Sequence, residues 1–201
     1  MLPAWRLVLL LALPAALLLG GGRLLLDASL PAMSRVFAWV APDFRLLMLQ
    51  AQAPGALPGV QAMVTLARPT QVGTHWAQPH PDGFASAQLR LGQVLQAPLL
   101  AGLLLLGWPG GALPVVLKRL ALALGPLALL WVVDTPVVLA GLLWDLLLDA
   151  YAPGARTALT RAGDFLHGGG RLALAGAIAA GAIALAAPGR SAKVSLHPVV
   201  P

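Results

Sequence analysis

The sequence predicts a membrane all-α bundle of about four transmembrane helices that carries a small β-rich extracytoplasmic segment. Three observations lead there. First, 59% of the 201 residues are hydrophobic and only 10% are charged, a balance far from that of a soluble domain. Second, residues 89–108 and 113–148 are long apolar segments joined at Pro109-Gly110-Gly111, with Arg90, Lys118, Arg119, Asp134 and Asp145 their only charges. A hydrocarbon core about 30 Å thick needs roughly 20 such residues in a helix. Third, residues 27–92 change character, becoming rich in Pro, Gln, Ser, Thr and Arg.

Charge and cysteine content exclude several classes. The net charge is +6, from thirteen basic and seven acidic residues. In a membrane protein that excess marks loop orientation and contact with the lipid bilayer, and no clustered basic surface of the nucleic-acid-binding kind is present. Without cysteine there is no disulfide, no thiolate nucleophile and no Cys-ligated metal.

Residues 1–26 read as transmembrane helix 1. A basic start ending at Arg6 precedes the apolar run 7–19, and the Leu-rich pattern continues past Gly20-Gly21-Gly22 with Arg23 able to snorkel. The competing reading is a cleaved signal peptide, since the run is short and small residues follow it, although no Ala-x-Ala site closes it. An uncleaved span places the N-terminus in the cytoplasm of a bacterial-type inner membrane.

Residues 27–92 form the extracytoplasmic segment. Val36, Phe37, Trp39 and Val40 suit a short interfacial helix over 34–40. Runs 44–52 and 59–67 flank a turn-rich Pro54-Gly55-Ala56-Leu57-Pro58, and 84–91 sets Ala85, Ala87, Leu89 and Leu91 against Ser86, Gln88 and Arg90. This period of two predicts three strands in a small antiparallel sheet. Residues 68–83, rich in Pro, Thr and His, read as an exposed loop.

Residues 93–187 hold membrane helices 2–4 with interfacial helices. Helix 2 carries Pro98, which a span tolerates when its surroundings satisfy the freed carbonyl. Lys118-Arg119 then faces the cytoplasm. Residues 113–148 would extend about 54 Å as one helix, so Asp134-Thr135-Pro136 is the expected dividing point. The segment ends there and leaves an interfacial or re-entrant helix, or it runs on kinked and tilted. In the last span, Ala173, Ala177 and Gly181 fall at four-residue spacing, as do Gly176, Ala180 and Ala184. These are small-xxx-small faces for helix contact, or an Ala-rich span with no preferred partner. Residues 188–201 read as a flexible cytoplasmic tail.

Few residues point to chemistry. His75, His80 and Asp82 are interrupted by Pro79 and Pro81 with no helix to fix their spacing, so a solvated loop is preferred to a metal site. No Gly-x-Ser-x-Gly elbow, P-loop or dinucleotide fingerprint occurs, and Gly168-Gly169-Gly170 reads as a flexible joint. Asp134, Asp145 and Asp149 are intramembrane carboxylates and hence functional candidates. Their expected position near the outer boundary, beside Trp131, Trp144 and Tyr151, equally allows simple solvation. Arg161, Asp164, His167 and Arg171 make a polar stripe that either pairs with Asp145 and Asp149 or forms the wet side of an amphipathic helix. The wet side is preferred.

The layout comprises an N-terminal span, a strand-rich outer segment, a polar run entering a Pro-containing span (Gln88-Leu89-Arg90-Leu91-Gly92-Gln93-Val94-Leu95-Gln96-Ala97-Pro98) and an aromatic-Asp segment (Leu143-Trp144-Asp145-Leu146-Leu147). It resembles the small accessory membrane proteins associated with exosortase H. The resemblance implies a protein that accompanies a membrane transpeptidase sorting exported proteins with a C-terminal signal, and it carries no role for particular residues. The absence of cysteine independently excludes a cysteine transpeptidase.

The leading expectation is therefore a non-enzymatic accessory or assembly subunit, without cofactor or metal, that binds a larger integral membrane protein through its last span. The alternative is a transporter or proton-handling component using Asp134 and Asp145. A third reading is a membrane enzyme using His75 and His80. Both termini are expected in the cytoplasm.

Overall fold

Apolar runs punctuated by glycine and proline set the helices of this protein, whose computed structural model describes residues 4–51, 58–109 and 112–187. The chain opens with α1 (Ala4–Ala16), passes through a π-turn at Leu17–Gly21 and continues as α2 (Gly22–Val40). The interfacial helix expected at 34–40 is thus the end of a longer helix that starts at the glycines and runs through Asp27 and Pro31. Its buried side, Leu26, Met33 and Phe37, recurs at helical spacing, and that stripe carries the helix through the polar stretch.

The expected strands form with bounds close to those read from the sequence. β1 (Phe44–Ala51), β2 (Gly59–Leu66) and, after an intervening hairpin, β5 (Ala85–Arg90) make an antiparallel sheet in the order β1-β2-β5. Val60, Ala62 and Val64 of β2 and Ala87 and Leu89 of β5 are buried on one face, as the period of two requires. A register shift between Leu46 and Met48 bulges β1 and turns Leu47 and Met48 outward. The loop expected at 68–83 contains a hairpin of β3 (Thr70–Val72) and β4 (His75–Ala77). It turns at Gly73, whose φ of 62° favours glycine. Strands of three residues are too short for an alternation to be read, which is why the sequence gives no warning of them. The turn at 54–58 lies largely outside the described residues, as do Gly110-Gly111 of the joint after Pro109 and the 188–201 tail.

The remaining helices are α3 (Leu91–Gly107), α4 (Leu113–Tyr151), α5 (Ala158–Phe165) and α6 (Arg171–Ala186), with a π-turn at Leu166–Gly170 joining the last two. Among the described residues two helices, Leu113–Tyr151 and the joined Ala158–Ala186, are long and apolar enough to cross a membrane. Ala4–Ala16 and Leu91–Gly107 are shorter apolar helices. The division expected at Asp134-Thr135-Pro136 does not occur, and α4 continues through Pro126 and Pro136 for 39 residues, about 58 Å. An internal proline costs about 3 kcal/mol. Around Pro136 that cost is offset by burial, because residues 134–136 and 138–141 are all buried.

Two cores share α4. Its C-terminal half contributes Val138, Leu139, Ala140 and Leu143 to a core with Met33 and Phe37 of α2 and the buried face of the sheet. Its N-terminal half contributes Ala123 to a second core with Ala97, Ala101 and Leu105 of α3 and Ala175, Ala179 and Ala182 of α6. At the end of the bundle far from the sheet, the buried Arg6 donates from Nη1 to the Trp108 carbonyl at 2.9 Å and lies 5.1 Å from the Trp5 ring centroid. Bonded and stacked in this way, it closes the start of α1 onto the end of α3.

Glycine permits the closest helix crossing. A Cβ on Gly141 would meet the Leu159 carbonyl oxygen at 3.2 Å and the Gly163 Cα at 3.3 Å, so α4 and α5 touch backbone to backbone. Leucine at Gly141 is expected to force the helices apart at a cost of about 3 kcal/mol. The loss should appear as a lowered unfolding temperature in detergent, whereas leucine at Gly125, which meets nothing within 4 Å, should leave it nearly unchanged.

Candidate functional site

The polar residues singled out in the sequence divide into a buried pair and an exposed cluster. At the buried pair, Arg171 Nε lies 3.5 Å from Asp134 Oδ2, with side-chain exposures of 2% and 4%. The π-turn before α6 creates this arrangement. Gly169 has φ 120°, a conformation that disfavours side chains, and a Cβ on Gly170 would run into the Phe165 ring. With the chain turned there, Arg171 donates from Nε to the Leu166 carbonyl at 3.2 Å and from Nη1 to the Gln93 carbonyl at 2.6 Å. Gln93 is itself fixed, since its Oε1 accepts the Arg90 N–H at 3.0 Å at the start of α3.

Arg171 therefore joins the beginnings of α3 and α6 to the middle of α4. Charges are removed from water at high cost, and a pair endures where geometry and further hydrogen bonds compensate. Asp134 is not solvated at an outer boundary, as its sequence position allows. It is enclosed by protein because α4 continues past it. Arg171 likewise leaves the wet stripe and points inward. Asp134 Oδ1 and Arg171 Nη2 have no hydrogen-bond partner among the described residues.

The exposed cluster centres on Arg156, a residue that the sequence reading passed over. Its Nη1 lies 2.6 Å from Asp164 Oδ2 and 3.8 Å from Asp145 Oδ1, so it bridges α5 to α4. The turn at Gly154, with φ 83°, and the cap of α5 position it. Thr157 Oγ1 accepts the Thr160 N–H at 3.1 Å, and Thr160 Oγ1 accepts the Thr157 N–H at 3.0 Å. That Thr-x-x-Thr spacing after a glycine turn was the available signal for a helix start, and hence for a cation just before it. Asp145, Asp164 and His167 line one small cavity of about 50 Å³ with Gly141 and Gly163. Asp149 and Arg161 are exposed and do not line it. Exposed ion pairs of this type contribute little to stability.

No nucleophile-and-base arrangement emerges among the described residues. The Ser29, Ser34, Thr70 and Thr160 hydroxyls each donate to a main-chain carbonyl. His75 lies on β4, and His80 accepts the Asp82 N–H at Nδ1 over 3.2 Å. These three residues are exposed, and no group of three metal-binding side chains occurs among the described residues.

Ala173, Ala177 and Gly181 all face outward, as do Ala180 and Ala184, with Gly176 half-buried. The face of α6 that packs within the chain is a different one, made by Ala175, Ala179, Ala182 and Ala186. Comparison with family models, curated proteins and solved structures finds no match. The site is therefore read from its own geometry.

That geometry predicts a sign. Replacing Arg171 by methionine strands Asp134 and is expected to cost about 3–5 kcal/mol, as is the loss of either partner alone. The double variant Asp134→Leu/Arg171→Met should recover much of it. Thermal unfolding of the four proteins in detergent checks this, and a double variant no more stable than the singles would show that the ion pair is not what the site depends on.

Proposed function

We propose that this protein is a four-span, non-enzymatic accessory or assembly subunit of a bacterial-type inner-membrane complex, and that it engages a larger integral membrane protein through α6. The observation that carries the reading is the outward direction of two small-residue faces on α6, the apolar end of the joined helix Ala158–Ala186 that is long enough to cross a membrane. A Cβ on Gly176 or Gly181 would meet nothing within 4 Å, while the chain's own packing uses the opposite alanines. Close approach of a second helix is the known use of such faces in lipid.

The four-span arrangement takes α1 with its joined α2, then α3, α4 and α5 with α6, as crossings. Lys118 and Arg119 lie near the start of α4, at the same end of the bundle as Arg6. These basic residues flanking the apolar segments at that end support cytoplasmic termini and an external sheet. The C-terminal half of α4 then projects from the bilayer beneath the sheet, because the helix is nearly twice as long as a hydrocarbon core requires. Association with an exosortase-type sorting system is the form of this proposal that the sequence layout favours.

The competing reading, a transporter or proton-handling component, needs Asp134 and Asp145 to act together. Asp134 is bound to Arg171, whereas Asp145 faces Arg156 at the surface. Their separate partners argue against joint action.

Co-purification in mild detergent tests the proposal. Gly176→Leu/Gly181→Leu should reduce recovery of a membrane partner at least tenfold without lowering the chain's own unfolding temperature. A wild-type chain recovered alone, or a partner retained by the variant, would refute it. Reporter fusions after Gly73 and after Gly111 should report opposite compartments, and identical signals would overturn the four-span topology.

A further inference from the structure

The sheet ends unevenly, and the uneven end opens into a pocket. β5 pairs with β2 only as far as Ala85 opposite Val64, while β1 continues to Phe44 opposite Leu66. On the β5 side, Thr65 and Leu66 therefore have no strand beside them. The orientation of their main chain follows from a neighbouring bond. The Ala67 N–H donates to the Asp43 carbonyl at 2.8 Å, so 43 and 67 form a hydrogen-bonded pair. Strict alternation makes Phe44 and Leu66 a non-hydrogen-bonded pair, with the Leu66 N–H and C=O directed away from β1. Continuing the register would bring Gly83 opposite Leu66. The Gly83 N–H instead donates to the His80 carbonyl at 3.0 Å, and the chain turns aside.

The space left by that turn is a cavity of about 270 Å³ whose walls include Phe44, Leu66, His80, Phe84, Leu147 and Tyr151. It is smaller than a typical pocket for a drug-sized molecule. Its lining holds no carboxylate, lysine or arginine. Phe84 is 65% exposed and Tyr151 41% exposed at its mouth, so an entering group meets aromatic surface first.

We propose that this pocket receives one uncharged apolar side chain, of the size of leucine or phenylalanine, from an extended peptide segment that pairs with β2 at Leu66 in line with β5. The two observations are independent: the interrupted ladder specifies an extended main chain, and the uncharged cavity beside it specifies the side chain. Peptides added to an open strand edge gain affinity from main-chain hydrogen bonds and specificity from alternate side-chain pockets. The inference does not depend on the helix-face reading, since the pocket lies between the sheet and the end of α4.

The test uses the full chain in lipid nanodiscs, titrated with fluorescein-labelled pentapeptides Thr-Thr-Xaa-Thr-Thr and read by anisotropy. With Xaa as Phe or Leu, binding is expected at least tenfold tighter than with Asp. N-methylation of alternate peptide amides, made in each of the two phases, should weaken binding tenfold in at least one phase. Ala85→Phe, which fills the cavity, should abolish binding of the Phe peptide; its unfolding temperature is measured in parallel, and the peptide arms stand on the wild-type chain alone. Equal affinity for the Phe and Asp peptides, indifference to N-methylation in both phases, or no saturable binding of the Phe peptide would overturn the proposal.

Discussion

A guanidinium removed from water must have its charge and its donors answered by protein, and Arg171 imposes that demand on three helices together. Its partners are the carboxylate of Asp134 in α4, the Gln93 carbonyl at the start of α3 and the Leu166 carbonyl in the turn before α6. A shift of any one of them leaves the charge or a donor of Arg171 unanswered, and an orphaned buried charge costs several kcal/mol. The pair lies between the alanine-rich core of α3, α4 and α6 and the core beneath the sheet, so both packings are held in one register.

The two cores differ in the way their residues suggest. Beneath the sheet, Phe37, Met33, Leu139 and Leu143 fill space with large side chains. In the bundle, alanine dominates and the helices approach closely. Small residues therefore occur on two sides of α6. Ala175, Ala179 and Ala182 seat the helix within the chain, and the glycines on its other side meet nothing.

Much of this architecture is legible in the amino-acid order, and the departures have physical causes. The three longer strands announce themselves through the alternation of Val60, Ala62 and Val64 and of Ala87 and Leu89, because one face is buried and the other wet. At Pro136 local preference argues for a break, whereas burial on several sides holds α4 together, and it takes the second course the sequence allows and runs on. Asp134 is expected near the outer boundary from the aromatic residues around it, and the packing that carries α4 past it encloses it instead. Arg171 was assigned to a wet stripe by helical spacing, but the π-turn rotates it inward. One signal for that turn was available. Gly20-Gly21-Gly22-Arg23-Leu24 and Gly168-Gly169-Gly170-Arg171-Leu172 repeat the same five residues, and a π-turn falls at both places. The two arginines then diverge, since Arg23 lies near Asp27 at the surface and Arg171 is enclosed.

The order in which the ion pair's members leave the ribosome matters for biogenesis. Asp134 is synthesised well before Arg171, so α4 forms with a carboxylate whose counter-charge does not yet exist. A buried charge without its partner costs several kcal/mol, against which the apolar flanks of α4 must work until Arg171 is in place. The middle of α4 thus reaches its final packing only when the last helix arrives to answer it.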